Sequence, residues 1–113
     1  AIISPLAMVS RHARIGAGSI VMHGAIVNAG AIVGRNCIVN SQALIEHDAV
    51  VGDHCHISTK ATLNGGVHVG EGSFVGSGAL IREGLSLPAR SFIKMGTRVT
   101  RLPVGDHNAT KPS

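Results

Sequence analysis

A repeat of six residues determines the fold, and it is clearest in residues 15–45, which read IGAGSI-VMHGAI-VNAGAI-VGRNCI-VNSQAL-I. Each block opens on a large aliphatic residue. The same step of six runs from Ile3 to Val99, and all 17 positions on it are Ile, Val or Leu. A second column, four residues after each of these, is mostly small. A period of six fits neither a helix nor a two-residue alternation, and it predicts a parallel β-helix of hexapeptide units.

The two columns predict how each unit folds. The large residue points inward and stacks on its counterpart in the next coil, while the small residue lets the backbone close a narrow interior. With three units to a coil, residues 18 apart stack. Gly or Asn often follows the large residue, as at Gly16 and Asn28, and we expect these positions to take the left-handed backbone angles of a corner. Residues 1–105 are predicted to be one all-β domain, followed by a short polar tail at 106–113.

Composition narrows the class of protein. The 113 residues suit one domain, and thin layers explain why Trp and Tyr are absent and only two Phe occur. No apolar run approaches a membrane span and no signal peptide is visible, so we expect a cytoplasmic protein without membrane attachment. The stacked pair Cys37 and Cys55 is compatible with a disulfide, but without a sign of export we expect two reduced core thiols.

The net charge of +4 is uneven, because six of the ten basic residues follow position 80. This concentration indicates either a solvated face or an anionic ligand near the C-terminal coils. Nucleic acid is not expected, since almost no aromatic side chains are present to stack on bases.

Seven histidines raise the question of a metal site. No two of them are separated by 18, 36 or 54 residues, and the close pair His54 and His56 has no third ligand in its column. We therefore expect no metal ion within one chain. A site shared between subunits stays open.

The densest polar stretch is Glu46-His47-Asp48. A histidine beside carboxylates is a common way to make a general base. His47 is predicted to face outward, and Gly65, one coil away, would leave a bare backbone N–H beside it. A base next to an exposed N–H supplies the two groups that acyl transfer needs at least, one to take a proton and one to bind the oxyanion. Solvated surface histidines are the alternative.

Residues 45–57, IEHDAVVGDHCHI, resemble the sialic acid O-acetyltransferase (NeuD) family, as do VMHGA at 21–25 and LNGGV at 63–67. This family includes acetyltransferases that act on nucleotide-linked amino sugars, and the resemblance covers nearly all of residues 1–105. It implies a left-handed parallel β-helix, a homotrimer, and acetyl-CoA bound in the groove between neighbouring subunits.

The resemblance also implies a role for each site residue. His47 is the catalytic base, and Asp48 raises its basicity. His56 contacts the thioester end of acetyl-CoA, and the N–H of Gly65 meets the acetyl carbonyl. Two further residues lie along the cofactor groove: Ser77 and Met95.

The expected reaction is direct transfer of an acetyl group from acetyl-CoA to a hydroxyl or amine of sialic acid or of a nucleotide-linked amino sugar. Two departures concern the acceptor. Family members usually begin with a small α/β domain that binds it, and they end in Gly-x-Pro-Ala; neither is found here, so the chain is a fragment or its acceptor site is reduced. The alternatives are a zinc hydratase like the γ-type carbonic anhydrases, a non-catalytic structural β-helix, and an acetyltransferase for serine or a lipid-precursor sugar.

Overall fold

The structure, a computed structural model, describes residues 1–102. These residues contain no helix, and hence none that could cross a membrane. The predicted tail at 106–113 lies outside the described residues. Every strand is two residues long and ends on a large residue of the repeat. The strands are β1 (Ile2–Ile3), β2 (Met8–Val9), β3 (Arg14–Ile15), β4 (Ile20–Val21), β5 (Ile26–Val27), β6 (Ile32–Val33), β7 (Ile38–Val39), β8 (Leu44–Ile45), β9 (Val50–Val51), β10 (His56–Ile57), β11 (Thr62–Leu63), β12 (His68–Val69), β13 (Phe74–Val75), β14 (Leu80–Ile81), β15 (Ser86–Leu87), β16 (Phe92–Ile93) and β17 (Arg98–Val99).

Three parallel sheets form the walls of a prism. The first wall is β1-β4-β7-β10-β13-β16, the second is β2-β5-β8-β11-β14-β17, and the third is β3-β6-β9-β12-β15. Each strand residue pairs with the strand residue 18 positions further on in the next coil, as Ile20 does with Ile38. The stacked β-helix of hexapeptide units is therefore confirmed, while its left hand stays a prediction from the resemblance.

The three corners of the prism are named after the walls that they follow. In the coil that begins at Ile20, corner 1 is residues 22–25, corner 2 is residues 28–31 and corner 3 is residues 34–37. Equivalent residues in other coils take the same names. Every functional position discussed below lies at a corner or on the outer face of a wall.

The large column fills the interior, as predicted. All of its members from Val21 to Val99 are buried, whereas Ile3 in the first coil is 44% exposed. Burial of one such side chain stabilises the fold by about 1.5–3 kcal/mol. The repeated layers are therefore the main source of stability.

The small column differs between corners. At corners 1 and 2 it is mostly Ala, but at corner 3 it carries hydroxyl and thiol groups. From Ser19 to Ser73 these groups bond to carbonyls of the following coil, whereas Ser91 bonds to Pro88 of its own coil. Ser19 Oγ donates to the carbonyl oxygen of Gly34 at 2.7 Å. The Sγ atoms of Cys37 and Cys55 donate to glycine carbonyls at 3.1 and 3.2 Å. Both thiols are free. The pKa of Cys55 is raised, first by its hydrogen bond with the neighbouring Cys37 thiol and second by burial.

The left-handed backbone angles occur two residues later than expected. From Gly18 to Gly96, positive φ falls on the third residue of each corner, for example 73° at Gly24 and 61° at Asp48. The Gly that follows a large residue at corner 3 has another function: a Cβ at Gly52 would stand 2.8 Å from the backbone nitrogen of Glu71 in the next coil. Close approach of the coils requires Gly there, so our expectation for these positions was wrong.

Candidate active site

Corner 2 presents the candidate base to solvent. The chain leaves the core after Ile45, turns through residues 46–48, and re-enters the core at Ala49, which is fully buried. Asp48 adopts positive φ to make this turn. The side chains of His47 and Asp48 are consequently 69% and 72% exposed. His47 faces outward, as the repeat predicted.

The imidazole of His47 lies over Gly65. A Cβ at position 65 would stand 2.5 Å from Nε2 of His47 and 2.6 Å from its Cε1. The ring can occupy this place only because residue 65 has no side chain. The N–H of Gly66 donates to the carbonyl of His47 at 3.0 Å and holds the two corners one coil apart. Within residues 1–102, the Gly65 N–H donates to no backbone carbonyl.

Asp48 orients the ring. Nδ1 of His47 lies 3.3 Å from Oδ2 of Asp48. A carboxylate at Nδ1 favours the tautomer that carries its proton there. Nε2 is then free to accept a proton from a substrate.

The side-chain amide of Asn28 holds Glu46, the residue before the candidate base. Nδ2 of Asn28 donates to Oε1 of Glu46 at 2.6 Å, one coil apart in a partly buried position. The contact between these two residues was not predicted from the sequence. Their separation of 18 residues was the available signal, since it stacks the two side chains.

His56 lies on the outer face of the first wall, in β10. Its Nε2 is 3.3 Å from Nδ2 of Asn40, and its ring packs edge-on to Phe74 with centroids 5.3 Å apart. Oδ1 of Asn40 accepts the Ser41 N–H at 2.7 Å, which fixes the amide. Column spacing gave no signal for Asn40, because its contact with His56 joins two different columns.

Ser77 and Met95 stack at corner 1, as their spacing predicted. The N–H of Gly96 donates to the carbonyl of Ser77 at 2.8 Å, which joins the two coils. Oγ of Ser77 lies 2.9 Å from Oγ of Ser58. Met95 is 70% exposed.

The predicted site residues therefore form two groups. The first group occupies corner 2 and contains His47, Asp48 and Gly65. The second group occupies corner 1 and the adjacent first wall, and contains Ser77, Met95 and His56. The second wall separates the groups, so a single chain does not bring them together.

Basic side chains flank the C-terminal end of the second wall. Arg98 lies on its outer face, with Lys94 at corner 1 and Arg82 at corner 2, and all three are exposed. The ion pairs within residues 1–102 involve other residues. Within the described residues these three cations have no acidic partner, and they can serve an anionic ligand.

The described part of the chain offers no set of side chains for a metal centre. Among residues 1–102, no three His, Cys, Asp or Glu side chains form a group that could hold a metal ion. The zinc hydratase alternative needs three such ligands.

Comparison with known families identifies the repeat. The model described as "Bacterial transferase hexapeptide (six repeats)" matches residues 48–83. The chain is a hexapeptide-repeat protein. Comparison with curated proteins gives no match.

Solved structures similar to this hexapeptide-repeat protein include sugar acetyltransferases. A histidine-to-asparagine mutant of perosamine N-acetyltransferase from Caulobacter crescentus, in complex with CoA and GDP-perosamine, is 37% identical over 88% of this chain and 47% of its own, with a TM-score of 0.86. The acetyltransferase domain of PglB from Neisseria gonorrhoeae FA1090 is 36% identical over 92% of this chain and 50% of its own, with a TM-score of 0.87. The same domain in complex with acetyl coenzyme A is 36% identical over 86% and 49%, with a TM-score of 0.82. The chain spans about half the length of these proteins.

Proposed function

We propose that the chain is the catalytic β-helix of an acetyltransferase that moves an acetyl group from acetyl-CoA to a hydroxyl or amine of a sugar. The observation that carries this proposal is the His47 imidazole over Gly65, with Asp48 at its Nδ1. The similar protein bound to GDP-perosamine supports a nucleotide-linked amino sugar as the acceptor. Sialic acid, implied by the resemblance to the NeuD family, is the second candidate.

In the proposed mechanism His47 and Gly65 act on the two reacting atoms. Nε2 of His47 takes the proton of the acceptor as that group attacks the thioester carbonyl. Asp48 stabilises the imidazolium that results, and the Gly65 N–H donates to the oxyanion. The intermediate collapses by breaking the C–S bond, and the proton on His47 passes to the departing thiolate.

We further propose that the site is completed in a homotrimer. The second wall keeps His47 and His56 apart within one chain, but a neighbouring copy could bring its corner 1 against this corner 2. Apolar side chains on the outer face of the first wall are exposed in the single chain, with Phe92 at 46% and Ile38 at 37%, and closed symmetric assemblies usually bury such faces. The donor would lie in the resulting groove, with its phosphates near Arg82 and Arg98.

We assign the reaction to the cytoplasm. The donor is acetyl-CoA, and the pair of free thiols Cys37 and Cys55 fits a reducing compartment.

Replacement of the base is the first test. His47→Ala should lower the rate of acetyl-CoA consumption with a nucleotide-linked amino sugar by about 10²–10⁴, the usual contribution of a general base. His68→Ala is the matched control, because His68 is an exposed histidine on the third wall. Equal rates for the wild type and His47→Ala would remove His47 from this role.

Mixing of two inactive variants tests the shared site. His47→Ala and His56→Ala chains, mixed one to one and reassembled, should recover about a quarter of the wild-type sites if each site takes one residue from each of two copies. Sedimentation should report a trimer for each variant. An active monomer, or a trimer with no recovery on mixing, would contradict the shared site.

A further inference from the structure

We propose that Glu46 binds the amino group of the acceptor, so that the acceptor is a cationic primary amine and the product an amide. This inference rests on the proposed acetyl transfer and narrows it from hydroxyl or amine to amine. Its basis is a fixed carboxylate, directly before the base, with which no basic side chain of residues 1–102 forms an ion pair.

The carboxylate of Glu46 is held in one orientation. The bond from Nδ2 of Asn28 to Oε1 is short, at 2.6 Å, and both side chains are partly buried. A hydrogen bond to a charged acceptor is among the stronger kinds. A flexible surface Glu would sample many rotamers, whereas this one presents its second oxygen in a set direction.

Within residues 1–102, no basic side chain neutralises the carboxylate of Glu46. The ion pairs in residues 1–102 join Arg35 to Asp53 and His47 to Asp48. A partly buried carboxylate is costly unless a cation or donors accompany it. An ammonium group on the substrate would supply both.

The position of Glu46 suits the acceptor and not the donor. Gly65 lies one coil beyond His47 in the C-terminal direction, and the proposed cofactor residues Ser77 and Met95 lie further that way. The Asn28–Glu46 pair lies on the opposite, N-terminal side of His47. If the donor approaches His47 from the C-terminal coils, the acceptor must approach from the side of this pair.

The chemistry balances with this arrangement. The acceptor binds as its ammonium form beside Glu46 and releases one proton to water to become a nucleophile. As the N–C bond forms and the C–S bond breaks, His47 takes a second proton and passes it to the thiolate. The products are an amide, CoA thiol and one proton in solution.

Glu46→Gln is the decisive variant, because Gln keeps an oxygen for Asn28 and removes the charge. With GDP-perosamine as the acceptor, we expect the KM for the amine to rise on the order of tenfold or more. The KM for acetyl-CoA and the melting temperature should stay unchanged. The same nucleotide sugar with a hydroxyl in place of the amine should be bound equally by both proteins. Glu83→Gln, an exposed acid at the same corner, is the control and should change neither KM.

The results separate this inference from the function on which it rests. An unchanged KM for the amine in Glu46→Gln, or an equal rise for amine and hydroxyl sugars, would overturn the role of Glu46 while acetyl transfer stands. A wild type that consumes no acetyl-CoA with any sugar, or a fully active His47→Ala, would overturn the acetyl transfer itself and this inference with it.

Discussion

Gly65→Ala should separate activity from stability in this protein. The new Cβ would stand 2.5 Å from Nε2 of His47, whereas ordinary contact begins near 3.4 Å, so the ring must retreat by about 1 Å. A misplacement of that size in a catalytic group costs about 10²-fold in rate. Stability should not fall, because His47 is exposed and can move, and because φ at Gly65 is outside the left-handed region. The reduced freedom of the unfolded chain can even add about 0.4–1 kcal/mol.

The assay combines kcat for acetyl transfer with thermal unfolding of the same samples. In a His47→Ala background, Gly65→Ala should cause little further loss of rate, because the group that it displaces is already gone. A Gly65→Ala protein with wild-type kcat would refute the argued placement of the ring. So would a full further loss of rate in the His47→Ala background.

Three further predictions concern stability. Gly70→Ala should lower the free energy of unfolding by about 1–3 kcal/mol, measured by urea titration, since its Cβ would collide with the backbone nitrogen of Ala89, which cannot yield as a ring can. Ser19→Ala should cost about 1–3 kcal/mol in the same titration, because it removes the donor to Gly34 and leaves that carbonyl unpaired; a neutral result would contradict the role of the corner 3 hydroxyls. Folding raises the pKa of Cys55. The contribution of Cys55 to stability is therefore complete below the pKa of an unfolded thiol, about 8.5, and is lost as the pH rises above it. Cys55→Ser should flatten the alkaline fall in the free energy of unfolding, and an unchanged slope would oppose this account.

Periodicity was sufficient to predict the fold. An unbroken column of large residues can be buried only if every sixth residue points the same way, so the length of one unit followed from counting, and three units to a coil then stack His47 on Gly65. The same counting stacked Ser77 on Met95. It also separates the two halves of the site, because 47 and 56 differ by nine, which is not a whole coil of 18 residues.

Contacts between columns could not be predicted in this way. The pairing of Asn40 with His56 depends on side-chain rotamers and on the turn of one corner, which the repeat does not encode. The corner angles were misassigned for a related reason. Gly is used both where φ is positive, as at Gly24, and where two backbones approach closely, as at Gly52, and composition alone cannot distinguish the two uses.

Because His47 stacks on Gly65, the two residues face each other only if the number of residues between them stays the same. Loss or gain of a single amino acid between them would rotate one partner to another side of the prism, even if every strand re-formed. Duplication of a complete coil between them would instead preserve the facing and separate the partners by one extra layer, about 4.8 Å. Whole coils added before Asn28 or after Arg98 would leave both this pair and the proposed donor residues in place, whereas the number of residues from 47 to 65 must stay fixed.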